Sequence, residues 1–303
     1  MRNGVINIYK ERGFTSHDVV AKLRGILKQK KIGHTGTLDP EAEGVLPVCL
    51  GTGTKLCDML TDRDKTYETI LLLGQSTVTQ DITGAVTACA EVTVTEENVK
   101  EAVMSFLGTY EQIPPMYSAL KVGGRKLCDL AREGIEVERK ARQVTIYEIE
   151  ILDIRLPEVR MSVSCSKGTY IRTLCHDIGE KLGCHGCMKE LLRTRSGAFF
   201  MQDSIRLSEV EQLRDDGRLS EVILPVDRMF EAFPAVVLKP QREKTGYNGN
   251  PLKKTDVEPE DEQSGQVRVY DRQGTFVGIY EYRREQKQYR PVKMFYEKQR
   301  ETI

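Results

Sequence analysis

Apolar positions along the chain change period several times, and each change marks an element. Residues 5–9, rich in strand formers around Asn7, predict a short strand. Val19, Val20, Leu23, Ile26 and Leu27 then recur at helical spacing behind Thr15 and Ser16, either of which can cap the helix. Residues 45–50 are continuously apolar and predict a buried segment, and 54–60 read as helical. Residues 67–73 predict a strand ended by Gly74, and 86–94 predict another. Thr95 caps a helix expected to run through Leu107, with Val99, Val103, Phe106 and Leu107 facing inward and Gly108 at its end. A short helix is expected over 126–133, strands over 144–153 and 159–166, and a helix opening at Gly168-Thr169 with Ile171, Leu174, Ile178 and Leu182 on one face.

Strands and helices alternate here without a regular βαβ rhythm, so the expected class is α+β, with a mixed sheet flanked by helices. Beyond Ala235 the pattern changes to short β segments over 235–238, 266–270, 275–281 and 289–295, separated by turns at Gly246, Gly249, Gly265 and Gly274. This predicts a small β domain over 233–303, separate from a larger domain over 1–232. The stretch 241–265 is polar and is expected to be mobile.

Composition narrows the function. The 303 residues suffice for one large or two ordinary domains, and no long apolar stretch predicts a membrane span. The first residues lack the apolar core of a signal peptide, so the expected location is the cytoplasm. A net charge of zero argues against indiscriminate nucleic-acid binding. Basic residues nonetheless cluster at Lys22, Arg24, Lys28, Lys30 and Lys31, along 160–200 and along 265–303, which fits a specific polyanion partner. The eight cysteines read as reduced thiols. Cys184-His185-Gly186-Cys187 has no second Cys-x-x-Cys to complete a zinc site, so no metal is expected.

The most informative run is Gly33-His34-Thr35-Gly36-Thr37-Leu38-Asp39-Pro40, with Gly44 close behind. It reads as a loop built to present one carboxylate beside a cationic surface, the competing reading being an Asx-turn. No phosphate loop, dinucleotide fingerprint, nucleophile elbow or metalloprotease motif occurs, so no cofactor is expected. Asp39, Tyr67, Tyr117, Lys167 and Arg172 stand out from the core stripes. Arg172, in the first turn of its helix, and Lys167 can hold an anion there, either a phosphate or the carboxylate of Asp39, which the pairing would keep ionised. Tyr67 is either a core aromatic or a surface on which a planar base packs.

The loop resembles the signature of TruB-type pseudouridine synthases, which convert uridine 55 in the T loop of tRNA. Further blocks match in order: Gly13 to Asp18, Asp64 to Glu68, Gln112 to Lys121, Ala131 to Gly134, Cys165 to Leu174 and Leu191 to Gly197. Together they span about residues 4–200. The chain departs from the family's usual residues at Glu11, Cys128, Cys187 and Leu192. The resemblance implies the pseudouridine synthase fold, with a mostly antiparallel sheet and a C-terminal β-barrel-like PUA module that binds RNA. It implies Asp39 as nucleophile, Arg172 orienting it, Tyr67 against the flipped base, Leu191 sealing the pocket and His34 filling the vacated stack. Lys10 would support the pocket or touch a phosphate, and Tyr170 would join the substrate-binding set. The implied partner is the T stem-loop of tRNA, bound by a monomer without an obligate protein partner. The alternatives are a non-catalytic RNA-binding protein and a guide-RNA-directed synthase.

Overall fold

The structure, a computed structural model, describes residues 2–260 and 265–297. Strand β1 (Gly4–Lys10) is followed by helix α1 (Ser16–Leu27), the short β2 (Ile32–His34) and β3 (Glu43–Leu50). Then come β4 (Lys65–Leu73), α2 (Glu96–Met104), β5 (Gly108–Gln112), β6 (Arg142–Arg155), β7 (Glu158–Cys165), α3 (Ile171–Leu182) and β8 (Gly186–Ser196). They build one large sheet, ordered from an edge strand at Ile223–Leu224 through β1, β3, β8, β4, β7 and β6 to β5. Every pairing along it is antiparallel except β3 with β8, which run parallel over Leu192 opposite Glu43 and Arg193 opposite Gly44. The class is therefore α+β with a mixed, mostly antiparallel sheet.

That parallel seam divides the sheet. On one side, α2 and α3 bury Val99, Val103, Leu174 and Ile178 against Leu71, Val159, Met161 and Val163. On the other, α1 lays Val19, Val20, Leu23, Ile26 and Leu27 on Ile6, Ile8, Leu46 and Val48. The helical spacing of α1 thus becomes one buried stripe. Thr15 is its cap, in a reciprocal capping box with Asp18. Ser16 instead reaches out of the helix and bonds Leu38 of the Asp39 loop through both backbone groups.

A second, six-stranded sheet is barrel-like and nearly closed. Its main strands are Ala235–Leu238, Gln266–Tyr270, Phe276–Arg283 and Gln288–Met294, around a core that includes Val236, Val267, Val269, Tyr280 and Tyr289. It packs on the back of β1 and β3 through a shared cluster, where Ile279 and Phe295 meet Val5, Val45, Leu56 and Phe230.

Four expectations need correction. Helix α2 ends at Met104, so Leu107 falls off its buried face and is 47% exposed, while Phe106 alone of that pair packs inward. Over 86–94 only Val86–Cys89 is a strand, paired with Gln75–Thr77 outside the main sheet. Ala90, Val92 and Val94 still pack on the core, and the Ala90 amide donates to the Gly74 carbonyl at 3.0 Å, but the segment does not continue as a strand. Helix α3 starts at Ile171 rather than at Gly168, which sits in the preceding turn with φ +82°. The polar stretch 241–260 is ordered into a one-turn helix (Glu243–Tyr247) and two short strands (Leu252–Lys253, Val257–Glu258). Buried Asp256 organises it by accepting from the Lys253 amide and pairing with Arg242 at 2.9 Å. Residues 261–264 of the expected mobile stretch lie outside the described residues.

Candidate active site

The run 33–42 crosses from β2 to β3 above the parallel seam, and polar groups hold it from several sides. Thr35 donates through its amide and its hydroxyl to the Pro47 carbonyl, both at 3.1 Å. The Gly13 amide donates to the Pro40 carbonyl at 2.9 Å. Beneath the loop the Lys10 ammonium donates to the carbonyls of Glu11, Pro40 and Ala42 at 3.2, 3.0 and 2.5 Å. Lys10 has no exposed surface, so it supports the loop and is not available to a phosphate. Burial pulls its pKa down to about 8 against the opposing field of Glu43 and Asp39. Gly36 and Gly44 take φ of +122° and +102°, as the loop requires, whereas Gly33 sits in β2 without a positive φ. Gly44 is also fixed by space, because a Cβ there would lie 2.2 Å from the Arg193 carbonyl across the seam.

The loop presents Asp39 to Arg172, whose Nε lies 3.3 Å from Asp39 Oδ2. Arg172 is buried and Asp39 is 39% exposed, so the carboxylate is the reachable member of the pair. Tyr170 precedes α3, and buried Gln112 fixes it by accepting from its amide and donating to its carbonyl. Arg172 therefore enters the site from a pinned helix start. Its guanidinium also donates to the Thr79 and Tyr117 carbonyls and pairs with Asp81 at 3.2 Å.

Sequence reasoning does not single out Asp81. Its Oδ1 accepts from the hydroxyls of Thr79 and Thr83 and the Thr83 amide, leaving Oδ2 for Arg172. The detectable signal is the spacing Thr79-x-Asp81-x-Thr83-Gly84, a carboxylate flanked by hydroxyls in a turn. The expectation that Arg172 holds Asp39 ionised needs adjustment. Arg172 and Lys10 do pull its pKa down, but burial and the Asp81 charge outweigh them, and the net direction is upward.

The remaining candidates divide. Tyr67 on β4 is buried at the top of the core, with its phenol against the Arg193 guanidinium; burial raises its pKa and Arg193 pulls it back. Leu191 on β8 is partly buried against the same cluster. Burial raises the pKa of the half-buried Tyr170 phenol, and the Arg172 charge pulls it back while that of Asp39 adds to the rise. His34 packs edge-on to His17 with ring centroids 5.2 Å apart, and its Nδ1 is buried without a partner. Burial and His17 both lower its pKa, which favours the neutral ring. Tyr117 contributes its carbonyl. Lys167 is not part of this site: it is exposed and pairs with Asp62 at 2.7 Å. Arg193 and Gln112 are further residues that sequence reasoning missed. Each lies inside a matching block, without a feature that separates it from its neighbours.

Residues 24–171 match the TruB family pseudouridylate synthase N-terminal domain, and residues 172–231 match the tRNA pseudouridylate synthase B C-terminal domain. The chain belongs to the TruB family of pseudouridylate synthases. It is 55% identical to the tRNA pseudouridine synthase B of Lachnoclostridium phytofermentans, over 97% of this chain and 99% of that one. It is 43% identical to the Bacillus pumilus protein of the same name, over 92% and 93%. Among solved structures it is similar to a chain of a Cbf5-Nop10-Gar1 complex, with a TM-score of 0.70 and 28% identity over 97% of this chain and 85% of that one. A chain of an H/ACA RNP bound to a substrate RNA containing 2'-deoxyuridine gives 0.69 and 26%, with the same coverage.

Proposed function

We propose that this enzyme isomerises uridine 55 in the T loop of tRNA to pseudouridine, with Asp39 as the nucleophile. The observation that carries the reading is a partly exposed carboxylate, on a loop braced from below by Lys10, paired with a guanidinium that is itself buried. Binding RNA alone does not call for an acid placed in a cationic site. The reaction detaches uracil from its ribose and rejoins it through carbon, so it needs no group donor. Asp39 attacks in its ionised form, and Arg172 orients it. Tyr67 packs against the extruded base, Leu191 and Tyr170 close the pocket around it, and neutral His34 takes the vacated place in the stack.

In this reading residues 1–232 are the catalytic domain and 233–303 a PUA-like RNA-binding domain. The protein works as a monomer in the cytoplasm without an obligate protein partner. The basic stretch 22–31 and the basic residues of 283–293 follow the RNA backbone.

The test uses purified protein and an unmodified tRNA transcript, with pseudouridine mapped by carbodiimide adducts and primer extension. The wild type is expected to give a stop at the T-loop uridine. Asp39→Asn is expected to bind the same RNA and lose at least about 10⁴ in rate. A wild-type chain that binds tRNA but leaves no stop would overturn the reading in favour of an RNA-binding or guide-dependent role.

A further inference from the structure

Arg193 heads the largest fully buried side chains among the described residues. Its surroundings are unusual for a guanidinium in a protein interior. Arg172, the other buried arginine of this region, is matched by two carboxylates, whereas Arg193 forms no ion pair among the described residues. Its Nε donates to the Val45 carbonyl at 2.7 Å, and its Nη2 has no hydrogen-bond partner. A buried cation without a counter-charge costs stability. Its neighbours do not offset the charge: Lys65, two residues before Tyr67 on the same face of β4, and Lys10 are themselves buried cations.

The sheet register gives Arg193 its place. On β8 it stands directly opposite Tyr67 of β4 on one side and Gly44 of β3 on the other. Directly opposed residues on adjacent strands put their side chains on one face. Leu191, two residues earlier on β8, is opposite Thr69 and so lies on that face too. The far end of Arg193 reaches the Asp39 loop, where a Cβ added to Gly36 would lie 3.8 Å from Nη1. One buried side chain thus bonds β3, lies beside Gly36 of the loop that presents Asp39, and stands opposite Tyr67 on the sheet.

We infer that Arg193 is a positioning residue that fixes the Tyr67 phenol relative to the Asp39 loop. The role rests on the reading above, in which Tyr67 packs against the target base. Arg193 has no exposed surface and does not itself touch RNA. The absence of a counter-ion follows from that task, since a carboxylate beside Arg193 would engage its fork and compete with the phenol. Lysine cannot substitute fully, because a single ammonium cannot bond Val45 and face both Tyr67 and Gly36.

The test is a double-mutant cycle in single-turnover assays on a T stem-loop RNA. Arg193→Gln is expected to slow the chemical step about 10²-fold while RNA affinity stays within about twofold. In a Tyr67→Phe background the same change is expected to cost less than about threefold, because the group it positions has gone. Arg193→Lys should recover part of the rate. An equal loss in both backgrounds, or a loss in affinity instead of rate, would overturn the proposal.

A second readout does not need activity. With fluorotyrosine incorporated, which makes the phenols more acidic, the fluorine resonance of position 67 is identified by its disappearance in Tyr67→Phe. The groups acting on that phenol are Arg193, Cys165 and Asp39. Removing the guanidinium should move its titration to higher pH, and an unmoved titration would overturn the proposal. If Arg193→Gln does not fold, Arg193→Lys supplies both readouts, with a smaller rate loss and a shifted Tyr67 titration expected. If the wild-type chain makes no pseudouridine, the proposed function fails while the Tyr67 titration still decides the placement.

Discussion

The Asp39 loop is held by two buried cations that are satisfied in different ways. Below it, Lys10 donates to three backbone carbonyls and meets no carboxylate at bonding distance among the described residues. Beside it, Arg172 is matched by Asp39 and Asp81 and by two carbonyls from other segments. The chemistry of the two groups explains the division. A compact ammonium with three donors suits converging carbonyls and fixes backbone, whereas a planar fork suits carboxylates and fixes a side chain. The floor sets where the loop lies, and the wall sets where the Asp39 carboxylate points and how readily it holds a proton.

This division predicts different failures. Among changes to the groups that hold Asp39, the largest effect is expected from Arg172→Gln, which leaves Asp39 and Asp81 near one another without their shared counter-charge. The rate should fall about 10²–10³-fold and stability by about 3 kcal/mol. Losing the positive neighbour also raises the pKa of Asp39, so the acid limb of the rate profile should move to higher pH. A pH–rate profile with an unmoved limb would separate Arg172 from Asp39 and break the comparison.

Lys10→Met should act chiefly on the floor, because Lys10 is the weakest of the charges acting on Asp39. It takes the ammonium from the Glu11 and Ala42 carbonyls and leaves Pro40 with the Gly13 amide alone, at a cost of roughly 2–3 kcal/mol. Thermal unfolding should show the loss, and hydrogen exchange should quicken at Gly13 and Ala42, whose amides bond within the loop. The rate should fall about tenfold through misplacement, with the acid limb nearly in place.

The smallest effect is expected from Asp81→Asn. The carboxamide keeps the hydroxyl contacts of the turn, but the substitution removes a negative charge that raises the Asp39 pKa. The acid limb should therefore move to lower pH, opposite in sign to Arg172→Gln, while the rate at neutral pH falls by no more than about tenfold. In the wild type the ionised form of Asp39 is required, so activity should be lost as pH falls through a pKa above the usual carboxylate range. A limb that moves the same way in both variants would mean that Asp39 is not the group being titrated.

Much of this was legible before folding. Periodicity located α1 and α3, and the motif blocks contained Asp39, Tyr67, Arg172 and Leu191. These signals are local: a helix buries every third or fourth residue, and a loop of glycines before Asp-Pro has few conformations open to it. Errors fell where local pattern lacked a neighbour. The alternation at 90, 92 and 94 looks like a strand, but these side chains pack on the core from an irregular segment. The polar stretch after Gln241 looks loose, yet one buried carboxylate, Asp256, orders it.

By itself the sequence determined the α+β class, the helical and strand stripes, and the glycine-rich loop that presents Asp39. Only the tertiary structure decided what each charge does. Lys10, Lys167, Arg172 and Arg193 are alike on paper, as basic residues near functional motifs. One became a buried brace for carbonyls, one a solvated ion pair, one a carboxylate clamp and one a cation without a counter-ion. The physical reason is that a charge's role depends on its solvation and on the groups it meets. Those are set by contacts between strands and loops far apart in the chain, of which the pairing of Arg193 with both Gly44 and Tyr67 is the plainest case.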